Sequence, residues 1–121
     1  MPVKKILVVD DSPTDRAYLS EMLTQAGYQV LTADGGEDGV NKAKSEKPDL
    51  VMMDVVMPGM NGFQACRAIT TGAETKQIPV FLCTTKNQET DKIWGQRQGA
   101  KEYLVKPADK TDLLNKIRAL G

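Results

Sequence analysis

The chain has 121 residues, 40% apolar and 26% charged, with Lys+Arg and Asp+Glu both totalling 16. That is room for one domain with a real core, and the zero formal charge leaves no basic excess to drive non-specific nucleic-acid binding. Histidine is absent, which excludes a histidine base, ligand or phosphohistidine within this sequence, and no stretch approaches the ~18 apolar residues of a membrane-spanning helix.

Met1-Pro2-Val3-Lys4-Lys5 runs straight into the first apolar segment without a signal-peptide pattern, so a cytoplasmic protein is expected. Apolar runs then alternate with helical patterns five times. Strands are expected at 5–9, 28–32, 49–54, 79–84 and 102–105, and helices near 14–26, 36–46, 62–72, 87–98 and 109–120. In the first helix Leu19, Met22, Leu23 and Ala26 recur at the spacing of one buried face, and Ser12-Pro13 offers an N-cap and a first helical residue. The second strand, Tyr28-Gln29-Val30-Leu31-Thr32, is the least uniformly apolar, as an edge strand would be. The fourth helix has two large apolar residues, Ile93 and Trp94, and contains Gly95, so weak packing and mobility are expected of it. The last helix buries Leu113, Leu114, Ile117 and Leu120, and Asp109 or Thr111 can cap it. Cys66 and Cys83 fit no metal or redox spacing and read as small buried filler.

Five βα units with strand two at an edge predict an α/β, doubly wound parallel sheet in the order 2-1-3-4-5. Ligands of such sheets bind beyond the carboxyl ends of the strands, where the strand order reverses. Here that point lies between strands one and three. Strand one, Ile6-Leu7-Val8-Val9, closes on Asp10-Asp11, and strand three, Leu50-Val51-Met52-Met53, closes on Asp54. Each aspartate taken alone reads as a turn or strand-end residue. Together they repel: two charges about 4 Å apart cost roughly 4 kcal/mol at an effective dielectric near 20. A hard divalent cation relieves that repulsion, and Mg²⁺ is usually held by one or two carboxylates, waters and phosphate oxygens. Open positions on such a site suit phosphoryl transfer. Lys106, before Pro107 at the end of strand five, is either a solvated cation or a counter-charge to the three carboxylates. Thr84 closes strand four and offers a hydroxyl on the same edge, although a lone strand threonine signifies only β-propensity.

The segments ILVVDD, LVMMDVVMPGMNG, VFLCTT and YLVKP, in this order, resemble the receiver domain of bacterial response regulators, the CheY-like family. The resemblance covers essentially the whole chain. Within the family, TTKNQETDKIWGQRQGAKEYLVKP and PGMNGFQACRAIT are most similar to the stand-alone receivers of pilus-based twitching or phototactic motility, the PilH type. The resemblance implies a flavodoxin-like (βα)5 sandwich forming a single receiver domain, 1–121, with no output domain. It implies that Asp54 accepts a phosphoryl group and that Asp10, Asp11, Asp54 and the backbone carbonyl of Val56 hold Mg²⁺. Thr84 and Lys106 would bind the phosphoryl group, and Tyr103 would be the aromatic that rotates inward as Thr84 moves. Tyr103 otherwise reads as an amphipathic strand-end side chain.

The implied partners are a CheA-like histidine kinase or phosphotransfer domain and a downstream motility protein met through the face formed by helix four, strand five and helix five. No nucleic acid and no membrane insertion are implied, and a monomer is expected. The chain would not be an enzyme beyond self-phosphorylation from a phosphodonor and slow autodephosphorylation. Trp94 on the output face reads equally as rim packing or as an anchor for the partner. An Asp-nucleophile, Mg²⁺-dependent hydrolase is the competing reading, but here the aspartate pair after strand one is adjacent, the third aspartate follows strand three, and no cap segment is expected. Three positions depart from the common receiver pattern. Val56 stands where an amide or acid is frequent, Thr85 where Ala or Gly is frequent, and Lys86 follows two residues after Thr84. An aliphatic Val56 cannot orient an attacking water and Thr85 narrows access, so a slow loss of phosphate is expected. Lys86 either reaches the phosphoryl group or is solvated.

Overall fold

The computed structural model describes residues 2–121. The elements are β1 (Lys5–Val9), α1 (Pro13–Gln25), β2 (Gln29–Ala33), α2 (Gly36–Glu46), β3 (Leu50–Met53), α3 (Gly62–Thr71), β4 (Val80–Thr84), α4 (Glu89–Arg97), β5 (Glu102–Val105) and α5 (Lys110–Arg118). All strand pairs are parallel and the sheet order is β2-β1-β3-β4-β5. The 2-1-3-4-5 topology read from the sequence is therefore the observed one.

Period-two geometry sends alternate strand residues to opposite faces, and each face has its own layer of helices. Leu7, Val9, Val51, Met53, Val80 and Leu82 pack with Val40 and Ala43 of α2 and Ala65, Cys66 and Ile69 of α3. Ile6, Val8, Leu50, Met52, Phe81 and Cys83 pack with Leu19 and Leu23 of α1 and Leu113 and Ile117 of α5. β1, β3 and β4 are thus apolar on both faces because both faces are covered. Full burial of each such side chain contributes about 1.5–3 kcal/mol. Truncating Phe81, which is fully buried, to alanine removes about 3–5 kcal/mol.

Local chemistry fixes the ends of the elements. The Ser12 hydroxyl accepts a hydrogen bond from the Asp15 amide at 3.3 Å, and Pro13 opens α1. Asn61 and Gln64 form a reciprocal capping box on α3, each bond 2.9 Å. Of the two caps expected for α5, Asp109 serves, accepting from the Asp112 amide at 2.9 Å. A Cβ at Gly62 would collide with the Asp54 carbonyl oxygen, so glycine lets α3 begin hard against the end of β3.

Several boundaries shift from the expected ones. Tyr28 precedes β2, whose strand runs on to Ala33, because pairing with β1 extends to Val9↔Ala33. Asp54 lies just beyond β3, and α4 starts at Glu89, where the Asp91 carboxylate accepts from the Gln88 amide at 3.3 Å. Ala26 is exposed rather than part of the α1 core; the helix ends at Gln25 and turns through Gly27, whose φ is 99°. β2 is the edge strand and is only partly buried. In α4 the sole buried residue is Gly95, while Ile93 and Trp94 are 45% and 49% exposed. Little apolar burial holds that helix down.

Candidate functional site

The site grows out of the ladder itself. Beyond the last strand residues, the Asp10 amide donates to the Ala33 carbonyl at 3.1 Å and the Asp54 amide donates to the Val9 carbonyl at 2.9 Å. These two bonds fix adjacent aspartates at the gap where the strand order reverses. Asp10 is 1% exposed and Asp54 8%, whereas Asp11 is exposed.

Each buried carboxylate divides its oxygens in the same way. Asp10 Oδ1 accepts from the Ser12 amide at 2.9 Å, and Asp54 Oδ1 accepts from the Val55 amide at 2.7 Å. The Oδ2 atoms face Lys106, whose Nζ donates to Asp10 at 2.7 Å and to Asp54 at 3.2 Å. Lys106 therefore points into the cluster rather than into solvent. Burial raises the Asp10 carboxyl above its ordinary value; the Lys106 and Ser12 hydrogen bonds oppose this and the Asp54 charge adds to it. Burial pulls the Lys106 ammonium down, but hydrogen bonds to Asp10 and Asp15 and the charge of Asp54 outweigh it. Its pKa lies above that of free lysine, and it remains a cation at any physiological pH.

One carboxylate oxygen from each of Asp10, Asp11 and Asp54 lies within 4.8 Å of the others. The donors are all hard oxygens, the set is anionic, and one member faces solvent. That fits Mg²⁺, which retains waters and demands few protein ligands.

Thr84 is fully buried, and its hydroxyl oxygen lies 3.4 Å from the Lys86 amide. Tyr103 is half-buried; its hydroxyl donates to the Lys86 carbonyl at 2.9 Å and its ring covers Gly95. Burial, with the charges of Asp91 and Asp54, pushes the phenol up to about 12, so it stays protonated as a donor. Lys86 pairs instead with α4, its Nζ 3.6 Å from Asp91. Val56 is 57% exposed beside the site, and Thr85 is exposed next to Lys106. Trp94 lies apart on α4. The Cys66 and Cys83 thiols are buried and pushed up to about 12 by burial, as inert packing groups are.

Two residues of the site escaped the sequence reading. Asp15 Oδ2 accepts from Lys106 Nζ at 2.8 Å, and Arg16 Nη1 donates to the Asp10 carbonyl at 2.7 Å. The only signal for Asp15 is an acid in the first turn of α1, which helix-dipole chemistry explains equally well.

Residues 6–118 match the family model of the response regulator receiver domain. The chain is 59% identical over 116 residues to Protein PilH of Pseudomonas aeruginosa, covering 96% of each. Several longer relatives are matched over about half of their length. Among solved structures, chemotaxis protein CheY4 of Vibrio cholerae superposes with a TM-score of 0.90 at 34% identity, over 98% of this chain and 99% of that one. The receiver domain of the sensor histidine kinase PA1611 of Pseudomonas aeruginosa does so with a TM-score of 0.88 at 26% identity, over 97% and 96% of the two chains. That structure carries a magnesium ion coordinated in its active-site cleft.

Proposed function

The chain belongs to the response regulator receiver family of two-component signalling, and from that premise we propose that it is a phosphorylation-dependent switch with Asp54 as phosphoacceptor. The donor is a CheA-like histidine kinase or a phosphotransfer domain, and the output is contact with a motility protein through α4, β5 and α5 in the cytoplasm. The likeness to PilH supports the assignment to a pilus or chemotaxis-like system. The observation that carries the reading is Lys106 bridging Asp10 and Asp54 while Asp11 faces the opening.

Asp10, Asp11, Asp54 and the Val56 carbonyl would hold Mg²⁺, which when bound supplies positive charge opposite the phosphoryl oxygens. An Asp54 carboxylate oxygen attacks phosphorus in line. The O–P bond forms as the P–N bond of the donor phosphohistidine breaks, and the electron pair leaves on the imidazole nitrogen, which takes up a proton. Such a transfer needs positioning and charge neutralisation rather than acid–base chemistry from the protein. The Val55 amide holds the Asp54 carboxylate in place. Lys106 neutralises the phosphoryl charge and the Thr84 hydroxyl donates to it.

Transmission follows from the Tyr103 bond to the Lys86 carbonyl. Thr84 moving toward the phosphoryl group draws on the Thr85–Lys86 segment and hence on Tyr103 and the loosely held α4. Trp94 and Tyr103 present the result to the partner.

Two experiments test the reading. Incubated with acetyl phosphate and Mg²⁺, the parent should gain one phosphoryl group by intact-mass spectrometry and Asp54→Asn none; labelling of the variant at another residue would sink the assignment. Val56→Asn should release phosphate faster, because an amide can orient water and an exposed aliphatic side chain cannot. Unchanged or slower release would remove Val56 from the control of phosphate lifetime.

A further inference from the structure

A lysine ammonium has three protons, and here each faces a different carboxylate. Nζ of Lys106 lies 2.7 Å from Asp10, 2.8 Å from Asp15 and 3.2 Å from Asp54. The helix residue Asp15 thus holds the lysine more closely than Asp54 does. The capping of α1 does not consume the Asp15 carboxylate, since its amide, not its side chain, bonds Ser12. The Asp15 side chain is 45% exposed, unlike those of Asp10 and Asp54. Together with Lys106, Asp15 lines a cavity of about 390 Å³ that also involves Tyr18, Cys83 and Thr85 and none of the three clustered carboxylates. The pull of Asp15 is therefore toward the α1 flank, away from Asp54.

We propose that Asp15 is a positioning residue that restrains Lys106 and thereby slows the arrival of the phosphoryl group on Asp54. The inference rests on Asp54 being the acceptor. A phosphoryl group offers three anionic oxygens to a lysine whose protons are already committed. Lys106 can give it more than one hydrogen bond only by leaving Asp15 or Asp10, and the half-exposed Asp15 is the weaker holder. Removing the Asp15 charge frees that proton and lets Nζ move toward Asp54.

The test compares initial rates of acetyl phosphate labelling, with Mg²⁺, for the parent, Asp15→Asn, Asp15→Glu and Asp34→Asn. Asp34 is an exposed acid just beyond β2 on the same sheet edge, so its variant controls for net charge. Asp15→Asn should label roughly fivefold faster, the size expected of one partly exposed charge near an anionic transition state. Asp15→Glu, which keeps a carboxylate on that turn, should return to the parent rate, and Asp34→Asn should stay within about twofold of it. A purely structural role would change melting without this pattern. An unchanged or slower rate in Asp15→Asn, or an equal acceleration in Asp34→Asn, overturns the proposal while parent labelling upholds Asp54. No labelling of the parent overturns both.

Discussion

The two edges of this sheet use the same residue type in opposite ways. At the amino edge, Asp49 precedes β3 and accepts the amides of Lys4 and Lys5, both at 2.9 Å. The Lys5 bond holds its carboxyl below the ordinary value; partial burial opposes this, and the Lys4 bond and the nearby lysine charges add to it. At the carboxyl edge, Asp10 is buried beside Asp54 and its carboxyl lies above the ordinary value. The first aspartate stabilises the fold by being charged. In the second, burial disfavours the charged form, and Lys106 is the cation its carboxylate meets. A carboxylate that lowers its pKa on folding contributes to stability, whereas one that raises it is held there by the rest of the fold. The carboxyl edge, where Mg²⁺ and the phosphoryl group are proposed to bind, is thus the one whose charge the fold stabilises less.

That contrast is broken most sharply at Lys106. Lys106→Ala leaves two buried carboxylates without their counter-charge, and a loss of about 3 kcal/mol in denaturant unfolding at neutral pH is expected. A variant as stable as the parent would mean that the cluster is already relieved by water. The next effect is smaller and of opposite sign. Mg²⁺ at about 100 times its Kd should stabilise the parent by ~2.7 kcal/mol, and Asp11→Ala should abolish most of that gain. A melting temperature indifferent to Mg²⁺ would remove the metal from the carboxyl edge.

The smallest effect lies at the other edge. Asp49→Asn should cost about 1 kcal/mol at neutral pH, after discounting for exposure. Because the folded pKa is depressed below the ordinary 3.8, this contribution is complete above that value and is lost as the pH falls through the lower, folded one. The deficit of the variant should therefore hold from neutral pH down to mildly acid pH and shrink below about 3.8. A deficit that grows on acidification would contradict the assignment.

Most of the site was legible because its residues close apolar strands. Asp10, Asp11, Asp54, Thr84 and Lys106 each sit at a strand end, and in a parallel sheet all such ends share one edge. What escaped was of another kind. Asp15 belongs to a helix, where an acid in the first turn is ordinary, and only the tertiary fold, which sets the first turns of α1 against residues 106–108 beyond β5, brings it to Lys106. The direction of Lys86 was open for the same reason, since a lysine beyond a strand end reaches either way until α4 supplies Asp91.

The sequence alone determined the alternation of strands and helices, the strand order and the edge that gathers Asp10, Asp11, Asp54, Thr84 and Lys106. These follow from periodicity, strand-end residues and the less apolar edge strand, all of which are local or topological. Only the tertiary structure decided how a single ammonium is shared among Asp10, Asp15 and Asp54, and that Tyr103 is tied to the Lys86 carbonyl. Those are distances of about 3 Å between residues far apart in the chain, and hydrogen bonds change on a scale of tenths of an ångström. Sequence patterns carry no information at that scale; the packing of α1, β4 and β5 around the site does.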